Sequence, residues 1–147
     1  MKPSFEAEFL KGSDVVGQSD ENKALEIPIV VTSTELPLDL DTALPRFFND
    51  RSFFLEMLHD LVSHMPERMQ EINMAMEKNN SVDLYRFAHN MKGVSSNFSA
   101  GPVSKLAAQI EALGKSEDVS GAVPLVSQME IEIERLRQYC KAEFGIE

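Results

Sequence analysis

The stretch FAHNMKGVSSN, residues 87–97, holds a histidine, a lysine and a glycine at a spacing that can do chemistry. On a helix at about 100° per residue, His89 points away from the apolar side, and Lys92 and Gly93 follow one turn later. An exposed imidazole is largely neutral at cellular pH and offers a nucleophilic ring nitrogen. Because a mid-helix glycine costs about 1 kcal/mol relative to alanine, we expect something to approach closely at Gly93.

A phosphoryl group is the reactant that suits these residues best. It brings about two negative charges, which the ammonium group of Lys92 can offset. Ser96 lies on the same face and can donate a hydrogen bond. The histidine would form the bond, the lysine would balance charge and Gly93 would leave access.

Other kinds of site fit this stretch less well. A lone exposed histidine is most often a plain surface residue, and it is the costly glycine that changes this interpretation. Zinc would need a second ligand three or four residues from His89, where the chain has only Tyr, Arg, Lys and Gly. A serine nucleophile on a sharp turn and the glycine-rich nucleotide motifs are also absent from the sequence. We therefore expect no metal site and no use of ATP.

The other two histidines, His59 and His64, lie between the apolar positions of the preceding helix, with no small or basic residue placed as at His89. We expect both to be ordinary surface or boundary residues.

The composition limits the partners. The 147 residues carry a formal net charge of -10, so no basic surface of the kind that neutralises phosphate backbones or anionic membranes is expected. The single cysteine, Cys140, excludes an intramolecular disulfide. No secretory signal and no run of about 18 apolar residues is present, which favours a soluble protein in the cytoplasm.

Two regions differ along the chain. Residues 1–37 are acidic and lack a sustained hydrophobic period, which predicts a mobile tail. Its apolar patch IPIVV, residues 27–31, either docks on the body as a short extended piece or is disordered. Residues 38–147 form the predicted domain.

That domain is predicted to be almost entirely helical. A short helix over residues 40–48 is followed by a long one over about 51–79, kinked or broken at Pro66. The helix with the opening stretch starts at Asn80 or Ser81, and two further amphipathic helices follow the Ala100-Gly101-Pro102 corner and the loop at 116–121. Short loops predict an all-α fold, an antiparallel up-down four-helix bundle with a short extra N-terminal helix.

Residues 88–100, AHNMKGVSSNFSA, resemble the signature of histidine phosphotransfer (HPt) domains, which is Ala-His-x-Leu-Lys-Gly followed by small residues and a glycine. The pair Ile110-Glu111 falls where that family carries a similar Leu-Glu pair in its next helix. The resemblance covers roughly residues 38–144. Met91 stands in place of the usual leucine, and Ser99 stands in place of the usual glycine, which leaves the end of this helix open.

The resemblance implies a phosphorelay intermediate of a multistep two-component signalling system. His89 matches the phosphoaccepting histidine, Lys92 the basic residue beside the phosphoryl group, and Gly93 the small residue that keeps it accessible. In the family, the phosphoryl group arrives from the aspartate of one receiver domain and passes to another. The receiver supplies the magnesium, and the phosphotransfer domain has no ATP-dependent kinase activity and binds no cofactor.

The partner-binding surface is expected around His89, at Tyr85, Arg86, Asn90 and Asn97. The expected partners are response-regulator receiver domains, including that of a hybrid histidine kinase, and the protein itself is expected to be a monomer. An alternative is a helical-bundle adaptor that binds a receiver or a kinase without carrying phosphate. Another is the C-terminal module of a hybrid kinase, with residues 1–37 as its linker.

Overall fold

In the computed structural model of this chain, the structure describes residues 35–147, and every regular element among them is a helix. The elements are α1 (Leu40–Ala43), a 3₁₀ turn (Leu44–Phe47), α2 (Arg51–Glu77), α3 (Ser81–Asn97), α4 (Gly101–Lys115), a second 3₁₀ turn (Ser120–Ala122) and α5 (Val123–Phe144). The prediction of an all-α fold with four long helices and a short extra one is therefore confirmed for this part of the chain. The predicted mobile tail and its IPIVV patch lie outside the described residues, apart from the tail's last three.

The long helix α2 runs through Pro66 without a break. The prediction of one helix is confirmed, the alternative of two helices is wrong, and α2 ends at Glu77 rather than near residue 79. Pro66 cannot donate a hydrogen bond to the carbonyl one turn before it, so the helix tolerates one missing bond there. Packing sustains the helix, because Val62, Met65 and Met69 on either side of the proline are all buried.

Side-chain caps start α2 and α3. Asp50 accepts a hydrogen bond from the backbone N–H of Phe53 at 3.1 Å, and Asn80 accepts one from that of Asp83 at 3.0 Å. Asn80 is thus the cap of α3, and Ser81 is its first helical residue.

The four long helices share one hydrophobic core. α3 packs against α2 and α4, and α5 packs against α4 and α2. Apart from Leu38, which precedes α1, the largest fully buried apolar side chains come from all four long helices: Phe54, Leu58, Ile72, Leu84, Met91, Val103, Ile110, Met129, Leu136 and Cys140. The antiparallel up-down order of these helices stays a prediction.

The C-terminal end of α3 is held by the segment around α1. Ser99 follows the helix with a left-handed φ of 55°, at the position where the HPt signature usually has glycine. Its hydroxyl accepts hydrogen bonds from Thr42 Oγ1 at 2.8 Å and from Arg46 Nη1 at 2.9 Å. Its carbonyl accepts one from the N–H of Asp39 at 3.0 Å. A serine can stand here because these bonds hold its strained backbone.

Candidate functional site

The face of α3 opposite the core carries the predicted reactive residues. Leu84, Ala88, Met91 and Ser95 are buried, whereas His89, Asn90, Gly93, Ser96 and Asn97 are exposed. More than half of the His89 side chain, 57%, is accessible. His89 therefore projects from the middle of a helix whose other side is fixed in the core.

A carboxylate from the neighbouring helix joins the histidine to the lysine. Glu111 of α4 has its Oε2 atom 2.6 Å from His89 Nδ1 and its Oε1 atom 2.6 Å from Lys92 Nζ. Only 13% of the Glu111 side chain is accessible, so the carboxylate lies beneath the two groups it holds. The one acid thus sets the position of both side chains.

The charge state of Glu111 decides which nitrogen of His89 carries the proton. The hydrogen bond from Lys92 lowers the pKa of Glu111 below its usual value, and the bond from His89 acts in the same direction, against the effect of burial. An ionised carboxylate only accepts hydrogen bonds, so Nδ1 of His89 must donate. In the neutral imidazole, Nε2 then holds the lone pair, and within residues 35–147 no side chain or backbone group bonds to it.

Helices α3 and α4 approach each other closely near Glu111. A Cβ atom on Gly114 would lie 2.8 Å from the backbone nitrogen of Tyr85 and 3.2 Å from the carbonyl oxygen of Ser81. Only glycine allows this contact, which lies one turn after Glu111. The Tyr85 ring also stacks on the His89 imidazole, with centroids 6.0 Å apart and planes inclined by 18°.

Unlike Gly114, Gly93 lies beside open space. A Cβ atom built on it would meet no atom within 4 Å, so nothing in the described part of the protein requires the missing side chain. The predicted hydrogen-bond donor Ser96 is exposed, and its Oγ lies 2.6 Å from Oγ of Ser104 on α4.

An open groove of about 680 Å³ runs beside the histidine. Its lining residues are Arg46, Arg68, His89, Asn90, Gly93, Val94, Ser96 and Asn97. The structure therefore brings Asn90 and Asn97, two of the predicted partner-binding residues, into one groove with His89. Arg86 is engaged elsewhere, since its Nη1 lies 2.5 Å from Asp83 Oδ1 and its guanidinium group covers the Phe87 ring.

Four residues of this region were missed as site residues in the sequence. Glu111 was noted only as half of an Ile-Glu pair, although a carboxylate beside an apolar stripe needs a partner, and that need was the available signal. The tight contact at Gly114 and the groove positions of Arg46 and Arg68 have no sequence signal, because they depend on how separate helices pack.

His59 and His64 are exposed on α2, in agreement with the prediction of ordinary surface residues. Residues 35–147 contain no group of three His, Cys, Asp or Glu side chains that could hold a metal ion. Within the same residues, no helix is long and apolar enough to cross a membrane.

An exposed histidine on a helical domain, held by a carboxylate from the next helix, suits a histidine phosphotransfer module. The model of the Hpt domain family matches residues 56–139, more than half of the chain, and the chain belongs to that family. Hpt domains act in histidine phosphotransfer within two-component phosphorelays and generally interact with response-regulator receiver domains. Comparisons with curated proteins and with solved structures gave no match.

Proposed function

We propose that this protein is a phosphorelay intermediate that accepts a phosphoryl group on Nε2 of His89 from a receiver aspartate and passes it to a second receiver. The observation that carries the proposal is the Glu111 carboxylate, which binds His89 Nδ1 and Lys92 Nζ at 2.6 Å each. The proposal includes a monomeric, cytoplasmic protein whose four long helices form an antiparallel up-down bundle.

The transfer step needs no proton from His89. The Nε2 lone pair attacks the phosphorus of the aspartyl phosphate, an N–P bond forms, and the P–O bond breaks with its electrons left on the aspartate carboxylate. The ring keeps its Nδ1 proton and gains a positive charge, which the ionised Glu111 offsets across the 2.6 Å bond. The reverse sequence, with a second aspartate as the acceptor, discharges the histidine.

Three further residues have proposed roles around the phosphoryl group. Lys92 uses one N–H on Glu111 and keeps two for phosphoryl oxygens. Gly93 leaves open space one turn from His89. Ser96 offers its hydroxyl on the same face.

The chemistry does not require this chain to bind a nucleotide or a cofactor. Magnesium belongs on the partner receiver, where it neutralises charge around the aspartyl phosphate. We therefore propose a phosphotransfer intermediate with no ATP-dependent kinase activity of its own. The partner surface is proposed around His89, from Tyr85 and Arg86 to Asn90 and Asn97.

A transfer assay tests the proposal. A receiver domain phosphorylated on aspartate is mixed with this protein and magnesium, and acid-labile phosphate on the protein is measured over time. We expect wild type to accept phosphate and His89→Gln to accept none. His59→Gln is the matched control, because His59 is an exposed histidine on α2 outside the site, and it should behave as wild type.

The same assay separates the proposal from the adaptor alternative. If His89→Gln accepts phosphate as well as wild type, the assignment is wrong. If wild type binds the receiver, takes up no phosphate, and still binds after His89→Ala, the chain is a phosphate-independent adaptor.

A further inference from the structure

The charge balance at the site leaves the incoming phosphoryl group short of cations. Arg86 and Lys92 are each three residues from His89, but Arg86 is already paired with Asp83 and Lys92 with Glu111, at 2.6 Å for the lysine. A phosphoryl group adds about two negative charges, whereas the imidazole ring gains only one positive charge as the N–P bond forms. A second source of positive charge would therefore stabilise it.

The groove beside His89 contains two arginines that no carboxylate among residues 35–147 neutralises. Arg46 Nη1 donates to the carbonyl oxygen of Asn97 at 3.1 Å and to Ser99 Oγ at 2.9 Å, both of them neutral acceptors. Arg68 of α2 has no ion pair or hydrogen bond among residues 35–147, and its Nε atom is buried without a partner. A buried N–H without a hydrogen-bond partner is unfavourable. Rotating the Arg68 side chain towards an anion would satisfy this N–H and would also form an ion pair.

Gly93 lies between the histidine and the residue that holds Arg46. Residues four apart on a helix form a row, so His89, Gly93 and Asn97 follow one another at intervals of one turn along the groove. Asn97 is the residue whose carbonyl holds Arg46. The missing side chain of Gly93 leaves this row open between its two ends.

In the proposed antiparallel bundle, Arg68 lies level with the histidine. Arg68 and Asn90 are equally far along the chain from Asn79, in the turn between α2 and α3, so they would face each other if α2 and α3 are antiparallel. Both line the groove. A guanidinium group on the α2 side thus lies across the groove from His89.

We propose that Arg68, supported by Arg46, binds the oxygens of the phosphoryl group while it is held on His89. Arginine suits this task because its planar group donates two parallel hydrogen bonds to phosphoryl oxygens. The proposal rests on the proposed function and deepens it. Glu111, itself bonded to Lys92, holds the imidazole from the α4 side, and the arginines bind the phosphoryl group from the α2 side.

The test uses the full protein without a receiver. Phosphoramidate is a small donor whose P–N bond breaks to release ammonia as the phosphoryl group moves to His89 Nε2. The second ionisation of the phosphoryl group is then followed by ³¹P NMR against pH. A cation about 8 Å away in water lowers that pKa by about 0.4 unit, so in Arg68→Gln the pKa should lie higher by at least this much.

Two matched variants accompany Arg68→Gln. Arg68→Lys keeps the charge and should retain most of the shift, which also covers the case in which the glutamine variant folds poorly. Lys78→Gln removes one positive charge from the exposed C-terminal end of α2 and should titrate as wild type.

Each outcome decides the proposal. Identical titrations of wild type and Arg68→Gln refute it, and weaker receiver binding by Arg68→Gln would then show that Arg68 pairs with carboxylates of the partner instead. A wild-type protein that takes up no phosphate on His89, from phosphoramidate or from a receiver, refutes the proposed function itself. Normal uptake with an unshifted titration refutes the role of Arg68 alone.

Discussion

Gly93 lies beside open space, whereas Gly114 lies against the backbone of α3. Alanine at each position therefore tests the description of the site. In Gly93→Ala the new methyl group enters open space, since no atom lies within 4 Å of the added Cβ. Alanine is favoured over glycine in a helix interior by about 1 kcal/mol. The free energy of unfolding should therefore rise by about 1 kcal/mol, and the melting temperature by about 3 °C.

Phosphotransfer by Gly93→Ala should change in the other direction. The methyl group stands beside the open groove one turn from His89, where the receiver must bring its phosphoryl group. A clash of about 1–3 kcal/mol that arises only in the complex corresponds to a loss of about fivefold to 160-fold in transfer rate. Stability is measured by chemical and thermal unfolding, and transfer by single-turnover kinetics with a phosphorylated receiver.

Gly114→Ala is the matched control, because the same substitution there meets backbone. Its Cβ would lie 2.8 Å from the nitrogen and 3.0 Å from the Cα atom of Tyr85, which cannot move as a flexible side chain does. We expect a loss of about 1–3 kcal/mol of stability as α3 and α4 separate. The reasoning is refuted if Gly93→Ala is destabilised, or if it is stabilised and transfers phosphate at the wild-type rate.

The remaining predictions concern Glu111 and Ser99. Glu111→Gln should slow transfer, because an amide can offer either an N–H or an oxygen to His89 Nδ1. In this variant ¹⁵N NMR should show both tautomers of the His89 ring. In wild type it should show only the Nδ1–H form. Because the pKa of Glu111 is lowered from 4.5 in the folded protein, its contribution to stability is present above that value and is lost as pH falls through the lowered one. The stability difference between wild type and Glu111→Gln should therefore shrink below about pH 4, and a difference that grows on acidification would contradict this. In chemical unfolding, Ser99→Ala should be less stable than Ser99→Gly by about 1 kcal/mol. Both variants lose the hydroxyl, but only alanine keeps a Cβ atom at a φ of 55°. Equal stabilities would show that the left-handed backbone carries no strain.

The sequence predicted the helices well where a hydrophobic period is long. The apolar spacing kept its phase on both sides of Pro66, and α2 is indeed one helix. The sequence left the first residue of α3 open, because Asn80 and Ser81 are both good capping residues. The structure shows that the Asn80 side chain accepts the capping hydrogen bond. Residues 88–100 also gave the family, which the match at residues 56–139 shows.

The parts of the site that depend on packing between helices were not predictable in this way. Periodicity placed His89 outward, but it gave no distance to Glu111, which lies on another helix. The requirement for glycine at residue 114 comes from the approach of the Tyr85 backbone. Arg68 gave no signal, since one arginine on an amphipathic helix is usually solvated, and its groove forms only when α2 and α3 pack together.

The most direct test of the central claim is to locate the phosphoryl group on the imidazole. Protein labelled with ¹⁵N at histidine is phosphorylated by a receiver, and the coupling between ³¹P and each ring nitrogen is measured by NMR. The account predicts coupling to Nε2 of His89 alone, with Nδ1 still protonated and bonded to Glu111. Phosphate on Nδ1, on His59 or His64, or on no histidine would contradict it.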